Sequence, residues 1–418
     1  MADFLHITSM SVWDWTLMGC LMALFVVQVY FYARYMAAPA RKLRKDQKSS
    51  ITNHKSEIIN HQSKIPGVSV ILCAHNEGYN LSNYLQALLS QDYPTYEVIV
   101  VNDGSEDNTR DVIDEYMLRD ARLHTTFVPR GARVRSTKKL GLTLAAKAAQ
   151  YDYLLLTDAD CVPESNQWIR EMMNGFFQHS TFNIQHSINI VLGFGAYFYE
   201  PGHINRLVRY DTLFNSLHYL GAAICGHPYM GVGRNLAYRK SLFFESGGFT
   251  RLMDNRAGDD DLFVNHVATS QNTAVVLKRE SYTWSPAKTS LRDWLQQKRR
   301  HVSVSPAYRN ETKWRLTLEP VTRGLFYLLV LAIFLSSFHP FTLSSFHPFT
   351  LSPFHPLTLI IAALLFLTRW ILQTAIINTS ARRMGLHCFS MFTILWLDII
   401  LPLISLWMLI IPTKKLKW

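Results

Sequence analysis

The chain has 418 residues, with 42 Lys and Arg against 31 Asp and Glu, a formal net charge of +11 and 49% hydrophobic residues. Its many aromatic and β-branched residues exclude an intrinsically disordered chain. Its five cysteines lack the paired spacing of a disulfide scaffold or of a CxxC zinc site. At roughly 100–200 residues per domain, the length allows one large domain plus a further segment, or two domains.

The first predicted element is a membrane helix. Residues 15–33 form an uncharged apolar run, close to the roughly 20 residues that cross a bilayer. Basic residues follow it: Arg41, Lys42, Arg44, Lys45, Lys48 and Lys55. The positive-inside rule then places the segment before the run outside and residue 41 onward in the cytoplasm. We predict a transmembrane signal-anchor helix within residues 1–40 and a basic juxtamembrane linker over 41–64. The alternative, a signal peptide cleaved near Ala38-Pro39-Ala40, is disfavoured because no basic segment precedes the run.

Strand and helix patterns alternate from residue 65 onward. Residues 68–72, 97–101 and 153–157 are β-rich apolar runs, and leucines recur at helical spacing over 81–89. This alternation predicts an α/β fold with a mostly parallel sheet covered by helices on both faces. Ligands of such sheets bind beyond the carboxyl ends of the strands. The polar residues at those ends are Asn76-Glu77, Asp103 and Asp158-Ala159-Asp160.

The carboxylates that follow the strand at 153–157 are one residue apart. Asp158 and Asp160 can face one cleft, where a divalent cation between them would offset their repulsion. Mg²⁺ or Mn²⁺ held by carboxylates and a diphosphate is a common arrangement. The other two clusters also have a purely structural interpretation, since Asn76-Glu77 can cap a helix and Asp103-Gly104-Ser105 can form an ordinary turn.

These motifs resemble those of family 2 glycosyltransferases, in particular the membrane-bound bacterial members. The matching segments, in the family's order, are VSVILCAHNE, VIVVNDGSEDNT, LLLTDADCVP, GVGRNLAYRKSLFFESGGF and GDDDLF. The resemblance covers residues 65–310. It implies a catalytic domain of the GT-A fold, which is Rossmann-like with a mostly parallel sheet, and inverting sugar transfer from a nucleotide sugar.

The resemblance also implies roles for individual residues. Asp158 would contact the nucleotide sugar and, with Asp160, bind Mg²⁺ or Mn²⁺, which would act as a Lewis acid on the departing diphosphate. The other donor-side positions that match the family are Ala74, Glu77 and Asp103 at the nucleoside, Lys138 near the base or phosphates, and Asn235 in a Gly-x-Asn loop.

A second acidic cluster, Asp259-Asp260-Asp261, follows a Gly-Gly-Phe segment. The family usually has Glu-Asp here, with the Asp as general base, so the resemblance makes Asp260 the base and Asp259 its neighbour. A one-residue shift would make Asp259 the base instead. An acceptor hydroxyl needs such a base because it is a poor nucleophile until its proton is accepted. A helix N-cap is the structural alternative.

Residues 296–301 read QQKRRH and resemble the family's Gln-x-x-Arg-Trp motif. Gln296 and Arg299 match, and Arg300 stands where Trp is usual. Paired guanidinium hydrogen bonds suit a diphosphate. The missing Trp favours transfer of one or a few sugars over processive synthesis. The alternative is a basic juxtamembrane helix that binds anionic lipid, and one segment can do both.

Residues 311–418 are predicted to form a membrane region of two or three helices. Residues 324–338 and 357–368 are dense apolar blocks, and a third block spans 384–412 with Asp398 and Pro402 inside it. A spanning third block would place the last lysines outside, against the positive-inside rule, so a re-entrant or interfacial position is the alternative. We expect Asp398 to pair with a polar neighbour in the bundle, the alternative being a position on a substrate path.

Residues 336–359 contain three copies of an octapeptide, SSFHPFTL, SSFHPFTL and SPFHPLTL. A period of eight with a Pro in each copy does not suit a stacked repeat domain. We interpret the tract as a duplication in a tolerant loop between helices. Metal binding by its histidines is the alternative.

Together these features favour an integral protein of the bacterial inner membrane with a cytoplasmic catalytic domain. The expected function is inverting transfer from a nucleotide sugar, most commonly a UDP-sugar in this family, to a lipid or saccharide acceptor in glycolipid or cell-surface polysaccharide synthesis. The alternatives are a processive polysaccharide synthase and a non-catalytic membrane protein with a transferase-like domain. No nucleic-acid partner is expected, because the basic residues cluster beside membrane segments and no recognition motif is present.

Overall fold

The computed structural model describes residues 10, 12–53, 65–129, 131–177, 187–253, 255, 257–337 and 356–410. Most of the octapeptide tract (338–355) and the last lysines (within 411–418) lie outside these ranges, so the interpretation of the repeat stays a prediction.

Ten strands lie within the described residues. They are β1 Val68–Ala74, β2 Tyr96–Asn102, β3 Leu123–Phe127, β4 Tyr153–Leu156, β5 Val162–Pro163, β6 Ile190–Leu192, β7 Gly195–Tyr197, β8 Leu236–Arg239, β9 Thr273–Val275 and β10 Thr283–Ser285.

Thirteen α-helices lie within the same part of the chain. They are α1 Val12–Phe31, α2 Ala38–Asn53, α3 Gly78–Leu89, α4 Thr109–Arg119, α5 Thr137–Ala148, α6 Trp168–Phe177, α7 His203–Ile224, α8 Lys240–Glu245, α9 Asp261–Val267, α10 Leu291–Val304, α11 Asn310–Ser337, α12 Pro356–Arg383 and α13 Met391–Ile410.

A seven-stranded sheet in the order β3-β2-β1-β4-β8-β6-β9 forms the centre of the domain. The strands β1 to β4 are parallel to one another, whereas β8 runs antiparallel to both β4 and β6. A smaller sheet, β5-β10-β7, lies beside it. The predicted α/β class is therefore confirmed, with one reversed strand in a mostly parallel sheet.

Both faces of the sheet are buried, which explains the continuous apolar runs of its strands. Successive residues of β1 enter two different cores, because side chains alternate along a strand. Val70 packs in the core that contains Leu85 of α3. Ile71 packs in the core that contains Leu142 of α5 and residues of α7. The sheet is thus fixed from both sides, and its carboxyl edge is held at a constant position.

Among the described residues, four helices are long and apolar enough to cross a membrane: Val12–Lys48, Asn310–Leu335, Pro356–Arg383 and Met391–Met408. The first is interrupted by a π-helical turn, Tyr32–Met36, where α7 packs closely against the backbone. A Cβ on Gly221 of α7 would lie 2.0 Å from the carbonyl oxygen of Tyr35. Only glycine therefore allows this contact between the catalytic domain and the first membrane helix.

A buried polar network joins the helices that could cross a membrane. The Asp398 carboxylate of α13 pairs with Arg323 of α11 at 2.7 Å and with Arg369 of α12 at 2.9 Å. Arg369 also donates hydrogen bonds to Gln28 and Tyr32 at the α1 end. The expectation that Asp398 pairs with polar neighbours is confirmed.

The helix α13 crosses α12 and does not run antiparallel along it, as the positions of their contacts show. Trp370 of α12 donates to the carbonyl of Met391, and Asp398, seven residues later, contacts Arg369 and Gln373 on nearly the same turns of α12. An antiparallel neighbour would have advanced by about 10 Å over seven residues at 1.5 Å each. Near its other end α13 reaches α10, where the Arg299 guanidinium lies 5.3 Å from the Trp407 ring centroid.

Candidate active site

A cavity of about 1510 Å³ lies at the carboxyl edge of the sheet and continues between α10, α11 and α13. Five of the predicted site residues line it: Lys138, Asp158, Asp259, Asp260 and Arg300. Residues from three separated parts of the sequence therefore meet at one opening.

The ends of β1 and β2 are tied together beside this cavity. The amide of Asp103 donates to the carbonyl of Ala74 at 2.8 Å, and the Thr137 hydroxyl donates to the Asp103 carboxylate at 2.6 Å. Asn76 has a φ of 58°, a left-handed conformation that Asn tolerates better than most residues. The backbone amide of Asn76 donates a hydrogen bond to the Ser105 hydroxyl, and this bond fixes the turn that carries Glu77. Ala74, Glu77 and Asp103, predicted for the nucleoside, thus lie together at the ends of β1 and β2, and they are not among the described residues that line the cavity.

Asp158, Asp160 and Cys161 form a compact group whose potential ligand atoms all lie within 4.8 Å of one another. Burial, and then the Asp158 charge, raise the pKa of Asp160. Burial also raises the pKa of the Cys161 thiol well above its ordinary value, so the thiol stays protonated. The donors suited to a hard cation are therefore the two carboxylates, and their oxygens fit Mg²⁺ or Mn²⁺.

Lys138 of α5 links the two acidic clusters. Its ammonium lies 3.0 Å from Asp158 and 3.1 Å from Asp259. Burial alone would lower the Lys138 pKa, but the two carboxylates raise it well above the ordinary value. Lys138 is therefore a fixed positive charge between the clusters.

The three aspartates at 259–261 have different partners. Asp259 pairs with Lys138, whereas Asp260 accepts hydrogen bonds from the amides of Gly233 and Asp261, each at 2.7 Å. Asp261 is buried, accepts from the Tyr308 hydroxyl at 2.8 Å and caps the amide of Leu262. Asp260 is also the N-cap of α9, so the structural interpretation of the cluster is correct and leaves room for a chemical one.

These partners separate the three pKa values. Burial and then the charge of Asp259 raise the pKa of Asp260 to about 6. Burial and then Asp260 raise the pKa of Asp261 to about 8. For Asp259, burial acts upward, but Lys138 and nearby hydrogen bonds bring the pKa below its ordinary value. Groups with pKa values driven apart in this way are typical of acid–base sites.

Asn235 was predicted for the donor side. Its side chain is fully buried and bonds to the Trp168 indole and to the carbonyls of Phe194 and Ser281, at 2.7–3.0 Å. These bonds hold the loop together, and Asn235 is not among the described residues that line the cavity. The neighbouring Arg234 lines the cavity, with its guanidinium 4.2 Å from the Tyr197 ring centroid.

The sequence prediction for α10 was Gln296, Arg299 and Arg300, and of these three residues only Arg300 is among the described residues that line the cavity. Of α10, the residues that line the cavity are Trp294, Gln297, Lys298, Arg300, His301, Val302 and Val304. Gln296 is exposed outside it, and Arg299 stacks on Trp407. The sequence contains two overlapping matches, and the helix phase selects Gln297-x-x-Arg300, with His301 where the family has Trp. Gln297 donates to the Tyr197 hydroxyl at 3.0 Å.

Residues 69–244 match the model of the family described as Glycosyl transferase family 2. The chain contains a family 2 glycosyltransferase domain. The resemblance and the GT-A fold inferred from the sequence motifs are thereby confirmed.

Similar proteins include a poly-beta-1,6-N-acetyl-D-glucosamine synthase from Staphylococcus epidermidis, 36% identical over 100 residues that cover 24% of this chain and 23% of the synthase. A second is the glycosyltransferase GlyG of Streptococcus pneumoniae, 27% identical over 99 residues that cover 24% of this chain and 32% of GlyG. The match thus spans about a quarter to a third of these relatives.

Among solved structures, the mannosyltransferase PcManGT of Pyrobaculum calidifontis, in complex with GDP-Man and Mn²⁺, has a TM-score of 0.47 at 17% identity, covering 87% of this chain and 98% of that chain. TarS of S. aureus (residues 1–349) with UDP has a TM-score of 0.41 at 17% identity, covering 63% and 72%.

Proposed function

We propose that this protein is a membrane-bound, inverting glycosyltransferase that moves a sugar from a nucleotide-diphosphate sugar to a lipid or saccharide acceptor at the cytoplasmic face of the membrane. The observation that carries this proposal is one cavity that holds Asp158 and Asp260, linked through Lys138 and Asp259, and that continues between the membrane helices. A transferase needs a donor-side cluster and a base for the acceptor at one opening, and this cavity contains both.

On the donor side, Asp158 and Asp160 would hold Mg²⁺ or Mn²⁺, which neutralises a departing diphosphate. Ala74, Glu77 and Asp103 would flank the nucleoside. Arg300 and Gln297 of α10 lie on the cavity wall and would bind the diphosphate through planar, paired hydrogen bonds.

On the acceptor side, Asp260 would take the proton of the attacking hydroxyl. A base works best when its pKa lies near the working pH, and the raised pKa of Asp260, about 6, meets that condition. Asp259 is a weaker candidate because Lys138 keeps its pKa low. We therefore assign to Asp259 the role of positioning Lys138, and to Asp260 the role of accepting the proton of the acceptor hydroxyl.

The similarity to a poly-N-acetylglucosamine synthase makes N-acetylglucosamine the first sugar to test, as UDP-N-acetylglucosamine. The same similarity favours a second candidate function, processive synthesis of a polysaccharide. His301 in place of the family's Trp supports transfer of one or a few sugars instead.

The test is a screen of radiolabelled UDP- and GDP-sugars on membranes that contain the protein, with Mg²⁺, with Mn²⁺ and with excess chelator. We expect one donor to label a product in the presence of metal, and we expect Asp160→Ala to abolish labelling. Asp114→Ala, in an exposed ion pair on α4, is the matched control. Undiminished activity of Asp160→Ala in excess chelator would show that the proposed metal site is wrong.

A further inference from the structure

The catalytic cavity does not end at its carboxylates. It continues along α11 past Leu325, Leu328 and Leu331, and along α13 past Leu403 and Leu406. These leucines are strongly exposed, Leu328 at 63% and Leu403 at 60%. Because both helices are apolar enough to lie in a membrane, the two rows of leucines leave a groove that opens sideways toward lipid.

The lining changes in character along this groove. The inner end contains Asp158 and Asp260, and Lys298 and Arg300 of α10 also line the cavity. Along α11 from Glu319 onward and along α13, the described lining residues are mostly apolar, with a few polar or charged ones among them: Glu319, Arg323, Tyr327, Asp398 and Ser405. An amphiphile matches this sequence of surfaces, since its polar head would meet the carboxylates and its chain would bury apolar area against the leucines. A water-soluble saccharide has no chain that would bury apolar area against the leucines.

The inner end also distinguishes between two kinds of lipid head. A phosphate oxygen needs no base, and its charge would be opposed by Asp260, the neighbouring carboxylate for which no ion pair with Lys138 is found, since Lys138 pairs with Asp158 and Asp259. A hydroxyl is neutral and needs a base, which Asp260 provides. The groups at the inner end therefore suit a hydroxyl.

We propose that the acceptor is a membrane lipid with a free hydroxyl in its head group, which reaches Asp260 sideways from the bilayer through the groove between α11 and α13. The inference rests on the proposed function. In the reaction, the lipid oxygen bonds to the anomeric carbon as the bond from that carbon to the diphosphate oxygen breaks. The hydroxyl proton passes to Asp260, and the nucleoside diphosphate leaves with the bonding electron pair.

The experiment narrows the groove without touching the catalytic residues. Leu328→Trp and Leu403→Trp place a larger side chain on each wall. Leu335→Trp is the matched control, because Leu335 is equally apolar, 56% exposed, two turns further along α11 and outside the cavity lining. Each purified full-length variant is reconstituted into vesicles made from a bacterial total lipid extract and supplied with the radiolabelled donor found in the screen. Label is counted in the chloroform-soluble fraction, and slow hydrolysis of the donor to water reports whether the donor site is intact.

We expect the wild type and Leu335→Trp to label a chloroform-soluble product that survives mild acid. Both groove variants should lose about 10²-fold of lipid labelling, as expected for a displaced acceptor, with donor hydrolysis unchanged. Label found only in water-soluble polymer, label released by mild acid as from a glycosyl phosphate, or groove variants equal to the control would each overturn the inference. If the wild type consumes no nucleotide sugar at all, the proposed function itself fails.

Discussion

At the scale of single residues, three carboxylates that follow one another in the chain differ in their chemical environment. Asp259, Asp260 and Asp261 are consecutive, but a lysine, two backbone amides and a tyrosine hydroxyl hold them in three environments. At the start of α9 the three side chains contact different partners. Because the side chains are buried, these partners have a large effect on the three pKa values. Asp260 combines a position on the cavity lining with a pKa of about 6, whereas Asp261 is held by the Tyr308 hydroxyl and has a pKa of about 8.

The assignment of Asp260 predicts a specific mutant pattern. Asp260→Asn should lower transfer by about 10²–10⁴-fold, the usual contribution of a general base, while nucleotide binding is retained. Asp261→Asn should change transfer by no more than a few-fold, because burial already keeps that carboxyl largely protonated near neutral pH. Initial rates at saturating donor would measure both. Equal losses in the two variants would contradict the assignment.

The pH dependence follows from the same carboxyl. A base must be deprotonated to act, and the Asp260 pKa lies near 6 rather than at its ordinary value of 3.8. We expect kcat/KM to fall as the pH drops through about 6. With an ordinary carboxylate as base, kcat/KM would instead stay constant down to about pH 4. The measurement is a pH profile of kcat/KM in the wild type, with Asp260→Asn expected to lack that acid limb.

Several site residues could be predicted from the sequence because a strand end fixes their position. Asp103 and Asp158 each follow an apolar strand, and parallel strands bring such positions to one edge. Gln296 and Arg299 could not be distinguished from Gln297 and Arg300, since the two pairs have identical spacing and only the rotation of α10 in the fold selects between them. The buried position of Asn235 could not be predicted for a different reason, because the sequence does not tell whether an amide in a loop faces inward or outward.

At the scale of elements, the contact between α7 of the catalytic domain and the π-helical turn that follows α1 depends on one glycine. Gly221→Ala would force α7 away from the Tyr35 carbonyl, 2.0 Å from the new Cβ. We expect a loss of about 1–3 kcal/mol, typical of overpacking, measured as a lower melting temperature in detergent. Gly324→Ala on α11 is the control, because no atom lies within 4 Å of its added Cβ. Equal effects from the two changes would show that this contact is not tight.

The membrane network gives a second prediction at this scale. Asp398→Asn removes the charge shared by Arg323 and Arg369, which are both buried. Breaking a buried pair on one side costs about 3–5 kcal/mol, so thermal unfolding in detergent should begin at a markedly lower temperature. Asp114→Asn breaks the exposed pair with Arg110 and should cost at most about 1 kcal/mol. A similar stability of both variants would contradict a structural role of the network.

The element types were largely predictable, but their mutual arrangement was not. Apolar length indicates that α11 and α12 are membrane helices, and the same criterion fits α13 equally well. The crossing of α13 over α12 depends on where Asp398 finds its guanidinium partners. Hydropathy averages carry no information about that pairing.

At the scale of the whole molecule, the crossing of α13 predicts a topology. Since α13 ends beside α10 of the catalytic domain, we expect residue 410 to lie on the same side of the membrane as that domain. Fluorescent protein fused after Ile410 should fluoresce, and alkaline phosphatase fused there should be inactive. A phosphatase fusion after Ser337, at the far end of α11, should be active. The opposite pattern at Ile410 would mean that α13 spans the bilayer.

The charge network also constrains the order in which the chain can be assembled in its membrane. During translation Arg323 would enter the membrane together with Glu319, which lies one turn before it and 3.2 Å away in the folded protein. Arg369, in contrast, is synthesised before its partner Asp398. An unmatched Arg in mid-membrane costs about 2.5–3.5 kcal/mol on insertion scales. We therefore expect α12 to stay in contact with the insertion machinery until α13 has been synthesised. The membrane part would then assemble late and as one unit.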